Sequence, residues 1–319
     1  MTKKKHQPIT VTSNFHQLGT PSFPVYLSMG EEGMIIEGGT GPTFNIIVEQ
    51  INALGIDPRR IKYIVLTHTH SDHIGAVPRL KIIWPHLKVL ASSEAARALE
   101  NKGMLKDFLW VDGNVAKLMK EKGEIAELPH ALKNHDFWVD TIVDEGDKVN
   151  LGSGIEWTVY KAPGHSACHI ALYEKKEDTL IIGDTTGFYV PEKDVFWPNY
   201  FDSLESYLSS IKKLSTLDAK RVALSHNCVI AGEVGKHFEK ALVATESYHT
   251  ELMERIKAGE DAEKVALEKA VWVNSLTDIQ PFEVMHNLSR LLIKRSRAYA
   301  GKHGQFTLGK EEEGWERGK

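Results

Sequence analysis

Residues Thr67–His73 read THTHSDH, which places three imidazoles and a carboxylate within six positions, directly behind the apolar run IKYIVL (61–66). Side chains alternate along a strand, so His68 and His70 point the same way as that run ends. Asp72 and His73 follow where the chain must turn into the next helix, and a loop there can curl them back toward the same point. Neutral imidazoles and carboxylates are the ordinary ligands of zinc, iron and manganese at open sites. Two subsets on one short loop could hold two cations a few ångströms apart. Further donors stand at other strand ends: His165 in APGHS after IEWTVYK, Asp184 closing TLIIGD, and His226 closing RVALSH. Four ligand-type residues at the spacing of the first motif rarely converge by accident.

The elements that must position these residues are legible in outline. The chain has 319 residues, 42% hydrophobic and 26% charged, enough for one large domain or a core domain with an appendage. A net charge of -4 leaves no basic footprint for nucleic acid. No apolar stretch approaches the roughly 20 residues that span a bilayer, and no apolar run follows Lys3, Lys4 and Lys5 to make a secretory signal. Cys168 and Cys228 are the only cysteines. Two isolated cysteines make no disulfide framework, so a reducing cytoplasm is expected.

YLSMGEEGMIIEGG (26–39) reads as two strands about a Gly-bearing turn, and Pro42-Thr43 opens a helix with Ile46, Ile47, Ile51 and Leu54 on one face. Strands are predicted at 62–67 and near 87–92, and a helix over 93–100. Residues 101–140 break the strand–helix rhythm and read as a helical insertion packing over something. Strands resume through TIVDEG, IEWTVYKA, HIALYEK and TLIIGD, followed by a helix at 202–214 and a last strand at 221–226. From Gly232 the pattern is helical throughout. The expected layout is a core over 1–231, a helical extension over 232–300 and a mobile charged tail over 301–319.

THTHSDH, APGHS, IIGD and LSH together resemble the ordered ligand motifs of the metallo-β-lactamase superfamily, over roughly residues 15–230. The resemblance implies an α/β fold, a four-layer αββα sandwich with the site at one edge of two packed sheets. The set of seven ligands is most similar to the glyoxalase II and lactonase-like branches. It implies that His68, His70 and His165 bind one metal, that Asp72, His73 and His226 bind a second, and that Asp184 bridges them. The implied cofactors are two divalent ions, zinc first, with iron or manganese also accommodated. The family carries an Asp in the strand-to-Gly turn that supports the site, where this chain reads IIEGGTG with Glu37.

Two cations sharing one water lower its pKa from 15.7 to about 7, so a bridging hydroxide is available to attack an ester, thioester or lactone carbonyl. Asp72 and Asp184 are the catalytic candidates, Asp72 by orienting the hydroxide or passing a proton to the leaving group. Lactonase-like relatives carry a tyrosine three residues after the bridging Asp, where this chain has Gly187, and Tyr189 is the nearest substitute. A core followed by helices is similar to the quinolone-signal response thioesterase and related proteins, in which such helices cover the site. That makes Phe282, Met285 and His286, with Trp110, Phe137 and Trp138 of the insertion, candidate contacts to a small organic acyl substrate. Other readings are phosphodiester hydrolysis, sulfur-dioxygenase-like chemistry at one iron, and a metal-loaded effector without turnover. The 232–258 helix is a candidate homodimer surface. Cys168 and Cys228 read as small buried hydrophobes, His169 as facing away from His165, and His130, His135, His237 and His249 as surface residues.

Overall fold

Layering follows from strand alternation, because nearly every central strand is apolar on both faces. The computed structural model describes residues 6–132 and 137–303. One sheet carries β1 (Ile9–Thr10), β2 (Phe15–Gly19), β3 (Pro24–Met29), β4 (Gly33–Ile36), β5 (Ile61–Val65), β6 (Lys88–Ala91) and β7 (Thr141–Ile142) side by side in chain order. The first four are antiparallel, and β4 to β7 run parallel. The chain then forms β8 (Lys148–Gly152), β9 (Ile155–Lys161), β10 (Ile170–Glu174) and β11 (Thr179–Gly183). A hairpin of β12 (Phe188–Val190) and β13 (Val195–Trp197) precedes β14 (Arg221–Leu224) and β15 (Val229–Ala231). The second sheet has the order β15-β14-β11-β10-β9-β8.

Within β3, Tyr26 turns toward the second sheet while Val25 and Leu27 face helices; within β11, Ile181 faces the first sheet and Leu180 and Ile182 face outward. Helices α1 (Phe44–Ala53), α2 (Ser71–Ile74), α3 (Val77–Ile83) and α4 (Ser93–Leu99) follow the strands of the first sheet. Ile47, Ile51, Leu80 and Ala95 of α1, α3 and α4 cover its outer face. Helix α6 (Leu204–Ser215) covers the second sheet through Leu204, Tyr207, Leu208, Ile211 and Leu214. The result is the αββα sandwich.

The predicted insertion is one long helix, α5 (Lys102–Glu121), capped by Asn101 Oδ1, which accepts from the amides of Gly103 and Met104. Asp112 pins this helix across the loop after β4, accepting from Thr40 Oγ1 at 2.7 Å and the Gly41 amide at 2.6 Å. The extension folds as α7 (Val234–Lys257), α8 (Ala262–Leu276) and α9 (Phe282–His303), with α8 packed along α9 and α7 against α6. No helix among the described residues is long and apolar enough to cross a membrane. The expected tail lies, from residue 304, outside the described residues.

The two sheets are joined by buried polar contacts as well as by apolar packing. Tyr26 Oη donates to the Leu224 carbonyl across the interface, and Trp157 Nε1 donates to Ser28 Oγ at 2.9 Å. Tyr26→Phe keeps the packing and leaves that carbonyl without its partner. It is expected to lower stability by about 1–3 kcal/mol in urea unfolding, with little change in the slope of the transition.

Candidate metal centre

At one edge of the sandwich a backbone bond draws the sheets together: the Ile170 amide of the second sheet donates to the Thr67 carbonyl after β5 of the first at 2.8 Å. Strand ends from both sheets therefore deliver side chains to one place. His68 follows β5, His70 caps α2, and Asp72 and His73 occupy its first turn. His165 lies in the β9–β10 loop, Asp184 follows β11 and His226 follows β14. Gly164 makes the His165 turn feasible: its φ is +130°, and a Cβ there would stand 2.2 Å from the Tyr207 amide nitrogen.

The hydrogen-bond partners fix the tautomers. Nδ1 of His165 donates to the Asn199 carbonyl at 2.9 Å, Nδ1 of His226 to the Ser22 carbonyl at 2.7 Å, and Nδ1 of His73 to Glu37 at 3.0 Å. Thr67 Oγ1 spends its proton on Glu37 and so accepts from Nδ1 of His68 at 3.0 Å. Four imidazoles thus aim Nε2 inward, the atom that binds a cation once it carries no proton. His70 turns Nδ1 inward instead, 3.1 Å from Nε2 of His68 and 2.9 Å from Nε2 of His165.

Asp184 sits among them, with Oδ2 at 3.3 Å from His165 Nε2, 3.5 Å from His73 Nε2 and 3.8 Å from His68 Nε2, and Oδ1 at 3.6 Å from His226 Nε2. Three groups of donor atoms fall within 4.8 Å of one another: His68, His70 and His165; His68, His73 and Asp184; Asp72, His73 and His226.

The electrostatics fit a cation. Burial holds His70 at about 3 and His165 at about 4, and pushes His68 well below its ordinary range, so all three are neutral at pH 7. Burial also opposes charge on His73, but Asp72, Glu37 and Asp184 offset it and raise its pKa well above normal. Positive charge is favoured at that point of the cluster. Nε2 of His73 and Oδ1 of Asp184 are buried with no hydrogen-bond partner, which is costly unless a cation completes them.

The family model described as the metallo-beta-lactamase superfamily matches residues 21–226. The chain belongs to the metallo-beta-lactamase superfamily. It is 26% identical over 220 residues to the flavo-diiron protein FprA2 of Clostridium acetobutylicum, covering 66% of this chain and 50% of that one. It is 25% identical over 247 residues to a Bacillus subtilis protein named "Probable metallo-hydrolase YqjP", covering 72% and 76%. The chain thus spans only half the length of FprA2. Among solved structures, TTHA1429 of Thermus thermophilus shares the fold with a TM-score of 0.64 at 18% identity, covering 92% of this chain and 95% of that one.

In this superfamily member Glu37 does support the site. Its side chain is buried, Oε1 accepts from Thr67 Oγ1 and Ser225 Oγ, each at 2.7 Å, and Oε2 accepts from His73. His169, expected to face away, is part of the surroundings: its ring stacks on His68 at 4.9 Å and Nε2 accepts from the Asp184 amide at 3.0 Å. Gly183 admits it, since a Cβ there would lie 2.4 Å from that nitrogen.

The donor cluster floors a cavity of about 210 Å³. Phe108 and Val111 of α5 and Phe188, Trp197 and Phe201 form its sides, and Ile279, Val284, Met285 and Leu288 its roof. Of the expected substrate contacts only Met285 lines it. Tyr189 is on the other side of β12 from Phe188, packs on Phe196 and His237, and donates to Asp194 at 3.0 Å. Phe282 is exposed, and His286 faces α8, where it pairs with Glu263 at 3.0 Å. Trp138 is 67% exposed, because residues leading into β7 run along β6 and tie its indole to Asp140. Trp110 is exposed on α5, and Phe137 is buried among the helices of the first sheet. At Gly187 (φ +80°) a Cβ would stand 2.4 Å from the Trp197 carbonyl, so no side chain fits.

The remaining polar residues divide likewise. Cys168 is buried in the helix-side core, and burial pushes the partly buried Cys228 thiol up to about 11. His237 and His249 are buried rather than surface residues, and His237 Nε2 meets Thr186 Oγ1 at 3.1 Å. His130 is exposed, and His135 lies outside the described residues.

Glu37→Gln preserves shape but replaces one of the accepting oxygens by a donor. Metal affinity is expected to fall about 10–100-fold in a chelator competition, whereas unchanged affinity would remove Glu37 from the support of the site.

Proposed function

We propose that this chain is a dinuclear metal-dependent hydrolase of the glyoxalase II and lactonase-like branches, cleaving an ester or thioester of an apolar acyl group. The observation that carries this reading is a metal-ligand cluster forming the floor of a cavity whose sides and roof are apolar. In it His68, His70 and His165 would hold one ion and Asp72, His73 and His226 the other, with Asp184 shared by the two groups. The position of both Asp184 oxygens supports the bridge, and so does the name of FprA2, a flavo-diiron protein. Zinc suits the donor set first, and iron or manganese also suits it.

Bound there, divalent cations supply Lewis acidity and bring the pKa of a water to about 7. The protein supplies the rest. Asp72 reaches the cavity floor, with Oδ2 at 3.6 Å from His73 Nε2 and 3.7 Å from His226 Nε2. With the ions bound, Asp72 would stand where it could take up a proton at the cavity floor and pass it to the leaving group. Aromatic and aliphatic walls hold the acyl chain and exclude water from the reacting carbonyl. The absence of room at Gly187 for a carbonyl-assisting tyrosine favours ester and thioester over lactone.

Asp184→Ala is expected to reduce bound metal from about two equivalents to below one, and retention of two would sink the bridged assignment. Val284→Phe, which narrows the roof, should lower kcat/KM at least about tenfold for long p-nitrophenyl acyl esters and spare the acetate. An unchanged chain-length profile would show that the roof does not hold the acyl group.

A further inference from the structure

The cavity carries a polar group that the hydrolytic reading leaves unused. Gln280 lies between α8 and α9 and lines the cavity beside Ile279 and Met285. Its Oε1 is buried without a hydrogen-bond partner. A buried amide oxygen is costly to leave unpaired, so its place in a cavity wall calls for a donor that arrives with the ligand. The loop bearing it is held in place: Lys122, which caps the end of α5, donates to the Asp278 carbonyl at 3.2 Å and pairs with its carboxylate, and Lys193 donates to the carbonyl of Ser275 at the end of α8 at 2.9 Å. The other amide on the cavity is already engaged, since the Asn199 carbonyl accepts from His165 and its Oδ1 from Tyr207. Among the described residues no Lys or Arg lines the cavity, and recognition away from the metal floor falls to neutral polar groups.

We propose that Gln280 is a specificity-determining residue that accepts a hydrogen bond from a donor on the acyl chain, which identifies the substrate as an acyl ester or thioester bearing an internal amide N–H rather than a plain fatty acyl ester. The inference rests on the reading of the cavity as the acyl site. The scissile carbonyl lies at the metal floor and the amide reaches the roof, so the two polar groups of the substrate bracket an apolar segment held by Phe108, Phe188 and Leu288. Gln280 is not one of the donor residues of the floor, and its effect is on selection rather than on bond cleavage.

The test compares p-nitrophenyl esters whose acyl chain carries an acetamido group at successive positions with all-carbon esters of equal length, on the metal-loaded full chain. For at least one amide position, the ratio of kcat/KM for amide over alkyl ester should fall about tenfold in Gln280→Leu, the size of one hydrogen bond to a buried acceptor. Gln280→Met, closer in shape, should reproduce the fall. Calorimetric binding of the corresponding free acids gives the same ratio without turnover. A ratio changed by less than about twofold at every position, in kinetics and in binding, would overturn the role of Gln280. Loss of amide preference in binding with no ester cleaved would sink the hydrolase and leave Gln280 standing.

Discussion

The buried carboxylate of Glu37 ties the ends of the two sheets to the helix that carries His73. One oxygen accepts from Thr67 at the end of the first sheet and from Ser225 at the end of the second, and the other orients His73 on α2. A charge placed so deep is costly unless its lone pairs are filled, and three donors from three segments fill them. Glu37 adopts φ +73°, a left-handed conformation that costs a non-glycine residue on the order of 1–3 kcal/mol. The surrounding bonds hold it there, and the convergence of the two sheet edges follows from them.

From that junction the chemistry is built outward in layers. Carbonyls of Ser22 and Asn199 and the hydroxyl of Thr67 fix the imidazole tautomers. His169 then stacks beneath His68 and bonds the Asp184 amide, so the carboxylate central to the cluster is oriented from its own backbone. The cavity above is roofed by a different part of the chain, the loop between α8 and α9 and the first turns of α9, with α5 as a side wall. Asp112 anchors α5 to the loop after β4, which also bonds to the chain following α2 through the Gly75 amide and Gly39 carbonyl at 2.7 Å. Wall and floor are therefore mechanically connected.

How much of this was legible in the sequence differs by element. The donors at the strand ends could be read because each follows an apolar run, and strand ends in a layered fold must emerge at an edge. Glu37 was visible as a position but not as a function, since its three partners come from residues 67, 73 and 225. The role of His169 was not legible, since its partners, the His68 ring and the Asp184 amide, come from other strands. His237 and His249 could have been found, because they fall on the stripe Val234, Phe238, Ala241, Thr245 and Leu252 that buries α7. The substrate wall was least legible. An aromatic-rich stretch does not reveal which face of a helix it presents, so Trp110 was chosen where Phe108 and Val111 face the cavity.

The central claim is that seven side chains, fixed by the Glu37 junction, hold two cations side by side. Anomalous diffraction from crystals of the metal-loaded chain tests it most directly. The account predicts two peaks, one among His68, His70 and His165 and one among Asp72, His73 and His226, with Asp184 between them. A single peak at full loading, or peaks away from these residues, would contradict it.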